Sequence, residues 1–450
     1  MIKKRISQIR LMFKRFGIDG YIIPKNDEFF SEYASKDRLR TISNFTGSAG
    51  FAVILKNKNY LFVDGRYTLQ AELECGKQFK IIKYEKILNC KLFKNLILGI
   101  DPKLFTSYLL LNSFKKYNKI KEIEKNLIDT IHNKYPIKSK PFFSLHKNIT
   151  GENHISKIKK VSNYLKKDKR KFLFVSAPEN VAWLLNIRGF DNPNSPIPNC
   201  RLLINDKNKI YLISEFKNLK KLDKEKKIKK QQIIEPKNLK VFLNKFKNNK
   251  IIVDRKSCSI FYENLFKKNF KIYKDEDPIY FLKSIKNKQE IKNMINSHIL
   301  DGVALSKFLY WIQKVNKNKI TEFDAQNKLE SFRKKNKNYL FPSFNTIAGS
   351  GSNGAIVHYR ASKKKTKIIN KKDIFLCDSG GQYKYGTTDV TRTLCFSKQS
   401  KNIKNIYTKV LKGHIAVATS NLKKDNIGKK IDIRARKFLK KSNLDYAHGT

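Results

Sequence analysis

The segment from Ile374 to Phe396, IFLCDSGGQYKYGTTDVTRTLCF, constrains the fold of this chain more than any other stretch of it. Two runs of β-formers, IFLC before Asp378 and VTRTLCF after Asp389, flank Gly380, Gly381 and Gly386. That pattern predicts a glycine-turned hairpin with one aspartate at each inner end. Folding the strands together brings the two carboxylates side by side. Carboxylate oxygens are hard ligands suited to Mg²⁺ or Mn²⁺, and a bridging and a chelating Asp can hold two ions about 3.5–4 Å apart. Aspartates beside glycine are also ordinary turn residues, so the segment alone leaves both readings open.

At 450 residues and 40% hydrophobic the chain can bury several cores, and domain-length statistics suggest about three units. The 96 Lys and Arg against 38 Asp and Glu give a net charge of +58, which raises the question of a polyanionic partner. The lysines are spread along the whole chain, in KNKNYL, KNLKKLDKEKKIKK and FKNNKIIV, and do not collect in one tail or helix. Such charge supplies sequence-independent attraction only, so no specific nucleic acid is expected as a partner. Six cysteines form no CxxC pair, which argues against a disulfide framework or zinc knuckle and fits a reducing cytosol. Cys377 and Cys395, on the two presumed strands, read as small buried core residues. The N-terminus carries charge through to Arg15, without the apolar core of a signal peptide. Its Ile2, Ile6, Ile9, Met12, Phe13 and Phe16 fall at helical spacing. No segment reaches the roughly 18 apolar residues of a membrane span, so no membrane association is expected.

Three units follow from the punctuation. Residues 1–145 begin with that helix and pass into strands at GYIIP, FAVIL and YLFVD before the helical TLQAELEC. Residues 146–278 repeat the order with HISKIKKVSNYLKK, KFLFVSA and AWLLNI. Residues 279–450 open on a long helical pattern from Ile279 to Lys314, turn to strands near Phe341 and contain the aspartates. The fold class is α/β (α+β).

Asp378-Ser379-Gly380 and Thr388-Asp389-Val390-Thr391-Arg392-Thr393, preceded by Val357-His358-Tyr359 and followed by His448-Gly449-Thr450, resemble aminopeptidase P of the pita-bread metallopeptidase superfamily. The resemblance extends through DGYIIP (Asp19–Pro24), TGSAG (Thr46–Gly50), DGRY (Asp64–Tyr67), AWLLNIRG (Ala182–Gly189) and DGVAL (Asp301–Leu305), which points to the long, three-domain form. It implies two related creatinase-like α/β domains followed by a pita-bread catalytic domain. Of the five protein ligands of the family's dinuclear site, two match Asp378 and Asp389. The family's ligating His would fall two residues past Thr450 and two Glu further on, so the resemblance implies a C-terminally incomplete catalytic domain and a chain inactive as it stands.

The resemblance further implies hydrolysis of the N-terminal Xaa-Pro bond by a hydroxide shared between two divalent ions, Mn²⁺ foremost. His358 would be an imidazole that stabilises the developing oxyanion, and His448 a second one lining the site. Peptides with proline at the second position would be the substrates, and the protein a cytoplasmic homodimer. From its neighbours alone, His358 reads equally well as a packed core residue, and the position of His448 so near the sequence end predicts fraying. His132, His146, His154, His298 and His414 read as structural. Gly349-Ser350-Gly351-Ser352-Asn353-Gly354 matches the letters of a dinucleotide fingerprint, but AIVHY follows where a helix must open, so a substrate-side loop leading into a strand is expected. Gly47–Gly50 reads as a tight turn between strands, and Asp64 and Arg66 as organisers of the first unit. A non-catalytic pita-bread protein that binds protein or RNA, and another pita-bread hydrolase such as prolidase, remain as alternatives.

Overall fold

The computed structural model describes residues 2–87, 93–132, 135, 140–425 and 427–448. Helix Ile2–Phe16 contains neither Gly nor Pro, and Ile6, Ile9 and Phe13 form its buried stripe. That stripe packs on a six-stranded sheet whose order is Lys80–Lys83, Asn59–Val63, Phe51–Leu55, Gly20–Pro24, Ile97–Ile100 and Lys119–Glu122. The central strand Gly20–Pro24 is buried throughout because both faces of the sheet are covered. Tyr21 and Ile23 join the core beneath the first helix, and Ile22 joins the opposite core with Val53 and Phe62. This is the period-2 alternation of a strand.

A second six-stranded sheet runs in the order Ile233–Ile234, Ile210–Ile213, Arg201–Asn205, Phe172–Val175, Asn249–Asp254 and Phe270–Asp275. Numbered within each unit, both sheets read 4-3-2-1-5-6. The pairing senses also agree: in each unit the first three strands are antiparallel and the fourth, fifth and sixth pair in parallel. The repeated order of helix and strands read from the sequence is therefore a full topological repeat.

Asp277 leads out of the second unit. Its Oδ1 accepts from the Ile279 amide at 2.9 Å and caps helix Pro278–Ser284, and its Oδ2 accepts from Asn180 Nδ2 at 2.8 Å. The single helical pattern expected from Ile279 to Lys314 is two helices, because Asn287 forms a capping box with Glu290 and starts a new one, Lys288–Lys314. Asn287 and Glu290 also reach back across the junction, to Thr150 O at 2.8 Å and from the Trp183 indole at 3.1 Å.

Helices Lys288–Lys314 and Glu322–Lys334 then pack behind the sheet Ile347–Ser350, Ile374–Ser379 and Val390–Cys395. The predicted hairpin is present, with Ile374–Cys395 and Asp378–Thr391 as register partners. Its connection is longer than a turn: Gly381–Tyr383 and Gly386–Thr387 leave to join Tyr339–Pro342 in a separate three-stranded sheet. Cys377 is buried as expected, but Cys395 is exposed, because alternate residues of its strand point away from the helices. Cys90 lies outside the described residues. Segment 216–224 is an amphipathic helix that buries Leu219 and Leu222. Among the described residues no helix is long and apolar enough to cross a membrane.

Candidate active site

Alternation along Ile374–Ser379 sends Phe375, Cys377 and Ser379 into the core and leaves Asp378 on the other face. The end of this strand is clamped. Arg333, fully buried, donates to both oxygens of Asp301, at 2.7 and 3.0 Å, and to Ser379 Oγ at 3.0 Å. Tyr383 donates to the same Asp301 at 2.8 Å. Beyond Ser379 the chain turns at Gly380, where any Cβ would collide with Thr388 O and Ser343 Oγ. That close approach returns the backbone so that Asp389 shares a cleft with Asp378.

The cleft has a volume of about 400 Å³ and draws on all three units: Glu32, Ser48 and Tyr67 from the first, Ser195 from the second, and His358, Asp378, Asp389 and Arg360 from the third. Asp378 Oδ1 is buried without a hydrogen-bond partner. Burial, together with the charge of Asp389, pushes the Asp378 carboxyl above the ordinary carboxylate range, against hydrogen bonding from Thr391 and the Ser379 amide. A buried, orphaned carboxylate oxygen beside a second carboxylate is costly unless a cation compensates it. This donor set fits a hard divalent ion. Among the described residues no group of three or more His, Cys, Asp and Glu completes such a site.

His358 sits on a loop held from below by Glu322, which is fully buried. The Glu322 carboxylate accepts from the Ser350 amide (2.7 Å), Asn353 Nδ2 (3.0 Å), the Tyr359 hydroxyl (2.7 Å) and the Lys367 amide (2.9 Å). Because the loop is spent on these bonds, residues 351–355 form a 3-10 turn and Val357–Tyr359 is not the strand expected from its β-branched residues. Nδ1 of His358 bonds the hydroxyl of Tyr67, in the first unit. Burial, then the positive charge of Arg66, lowers the pKa of His358 and keeps the ring neutral.

His448 lines the adjoining cavity with Asp64, Arg66 and Arg436, close enough for its charge to act on His358. Frayed placement was expected there. Instead Arg436 donates to the carbonyls of Tyr446 and His448 and to Asp445, and Ala447 lies so close over Gly65 that no Cβ would fit. Gly449 and Thr450, the rest of that motif, lie outside the described residues. Of the other histidines, His298 and His414 lie on exposed helical faces and His146 caps a short helix.

Sequence reasoning missed Ser48, Tyr67 and Ser195. Gly47–Gly50 follows helix Arg38–Ser43 and is a wall of the cleft, not a turn between strands. The Asp64–Arg66 ion pair lines the cavity of His448 besides ordering its own loop.

The model of metallopeptidase family M24 matches residues 292–450, and models of the creatinase/prolidase N-terminal domain match residues 133–290 and 5–128. A probable Xaa-Pro aminopeptidase P of Laccaria bicolor is 34% identical over 99% of this chain and 73% of its own length. This chain belongs to the aminopeptidase P family. A second member of the family, Xaa-Pro aminopeptidase 1 of Dictyostelium discoideum, is 33% identical over all of this chain and 76% of its own length. The crystal structure of the X-prolyl aminopeptidase of Caenorhabditis elegans, described as a cytosolic enzyme with a di-nuclear active site, superposes with a TM-score of 0.90. It is 24% identical and covers 100% of this chain and 79% of that one, so the fold is shared over the span of this chain.

Proposed function

We propose that this chain has the chemistry of a metal-dependent aminopeptidase acting on the peptide bond between an N-terminal residue and proline. The observation that carries the reading is the convergence of Asp378, Asp389 and His358 in one cleft, with Asp378 Oδ1 buried and unpartnered. Asp378 and Asp389 would hold two divalent ions, most suitably Mn²⁺. Bound there, such ions supply Lewis acidity and a water acidified toward neutral pH. His358, in the cleft, and His448, in the adjoining cavity, would orient the substrate. A residue before proline is driven toward extended backbone and the imide has no N–H, so the cleft can select Xaa-Pro by shape. Residues 1–145, 146–278 and 279–450 serve as the three units, in a cytoplasmic homodimer without a membrane or specific nucleic-acid partner.

Two carboxylates offer fewer oxygens than two six-coordinate ions require, so Asp378 and Asp389 would supply only part of the donor set. The test is Mn²⁺ binding followed by electron paramagnetic resonance, with release of the N-terminal residue from Xaa-Pro and Xaa-Ala peptides. Saturable binding that Asp378→Asn abolishes supports the metal site; equal turnover of the two peptides defeats the specificity. Retention on an anionic polymer at moderate salt, with no Mn²⁺ binding, would favour the binding-protein alternative.

A further inference from the structure

Behind His358 lie three side chains to which no role has been given. The hydroxyl of Tyr67 bonds Nδ1 of His358, joining residues 291 positions apart. Ser48 Oγ lies 2.7 Å from the same hydroxyl. Ser48 in turn donates to Oε1 of Glu32 at 3.2 Å, at the cleft rim. The direction of the whole chain follows from counting hydrogens. An ionised carboxylate only accepts, whereas a hydroxyl has one hydrogen to give. Ser48 gives its hydrogen to Glu32, so toward Tyr67 it can only accept. Tyr67 gives its hydrogen to Ser48, so toward His358 its oxygen can only accept. Nδ1 of His358 must then carry the hydrogen.

We infer that Glu32, Ser48 and Tyr67 are positioning residues: a one-way hydrogen-bond chain that fixes neutral His358 as the Nδ1–H tautomer and leaves Nε2 as a lone-pair acceptor. The buried Tyr67 ring also fixes the plane of the imidazole, with ring centroids 4.9 Å apart and Phe45 edge-on behind it. The consequence deepens the peptidase reading and rests on it for what the ring does. A neutral His358 with a bare Nε2 cannot donate to a developing oxyanion. It accepts instead, from the N-terminal ammonium or from an amide N–H beyond proline, and becomes a donor only after taking a proton. His358 is thus a binding group for substrate nitrogen at rest, in contrast to the oxyanion role that the family resemblance implies.

The tautomer is measurable whether or not the chain hydrolyses peptides. Protein carrying ¹⁵N-labelled histidine gives long-range ¹H–¹⁵N correlations that separate pyrrole-type from pyridine-type nitrogens, and His358→Gln identifies the relevant signals among the seven histidines. The expected pattern at neutral pH is a pyrrole-type Nδ1 and a pyridine-type Nε2. Tyr67→Phe, which removes only the hydroxyl, should move His358 toward the Nε2–H form and leave the other six unchanged. Glu32 is exposed, so Glu32→Ala keeps the fold; it frees the Ser48 hydrogen and should populate the same reversed form. A tyrosine with a purely structural role would alter the melting temperature and not the tautomer. A pyrrole-type Nε2 in the unaltered chain, or an unchanged His358 pattern in either variant, overturns the inference. Loss of peptidase activity with the pattern intact would count against the functional reading alone.

Discussion

Replacing Arg333 by methionine tests the clamp behind Asp378. Arg333 has no exposed side-chain surface and Asp301 has 3%, so neither charge can be rehydrated when its partner is removed. Truncating one member of a buried ion pair costs about 3–5 kcal/mol, most of it the penalty of the charge left behind. Arg333→Met leaves the Asp301 carboxylate the Tyr383 hydroxyl among its present side-chain donors, and Asp301→Leu leaves the guanidinium neutral hydroxyls in place of its carboxylate. Removing both charges leaves two neutral hydroxyls in need of partners, each costing about 1–3 kcal/mol at most, against which the apolar fill contributes. The double variant should therefore be less destabilised than the two single ones together by about 3 kcal/mol or more. The chain has two tryptophans, and in a Trp183→Phe background Trp311, on the Lys288–Lys314 helix, reports the third unit alone. At an m-value of about 2 kcal/mol/M, each single change should lower the urea midpoint of Trp311 fluorescence by about 2 M. Midpoints within about 0.5 M of the parent, or strict additivity in the double variant, would falsify the claim that this pair is buried and mutually dependent.

Other consequences can be checked more quickly. Glu322→Gln turns one acceptor oxygen into a donor facing Tyr359 and the Lys367 amide; a loss of about 2–4 kcal/mol is expected, with faster hydrogen exchange at the amides of Ser350 and Lys367. Burial raises the Asp277 carboxyl to about 7, so between pH 4 and pH 7 the unfolded chain gives up this proton while the folded chain keeps it. Stability from this group is thus complete at pH 4 and lost as pH rises through 7, by about 4 kcal/mol at most; Asp277→Asn should flatten that slope in melting curves at pH 5 and pH 8. Cys377 is buried and its thiol is pushed up to about 12, whereas Cys395 is exposed, so a maleimide should label Cys395 and spare Cys377 when the sites are read by mass spectrometry.

What could be read from the sequence is what local chemistry encodes. The Ile2–Phe16 stripe, the buried GYIIP strand and the paired β-runs around Asp378 and Asp389 each declare themselves through periodicity and turn residues within a short window. Errors arose where a distant polar group outweighs local propensity. Three residues of β-branched and aromatic character at Val357–Tyr359 form no strand because Glu322, more than thirty positions earlier, binds the loop from beneath. An uninterrupted helical pattern breaks at Asn287 because its side chain finds better partners in a cap and in Thr150 than in solvent. Ser48 and Tyr67 carry no charge or metal affinity to mark them, and nothing within tens of residues shows that they face His358. Family resemblance pointed to Asp378, Asp389 and His358, which line one cleft, but not to the groups that bond the imidazole from behind. Those come from the first unit, so the catalytic unit does not by itself define its own imidazole. Without Tyr67 the ring would lose its fixed tautomer even with every residue from 279 onward in place.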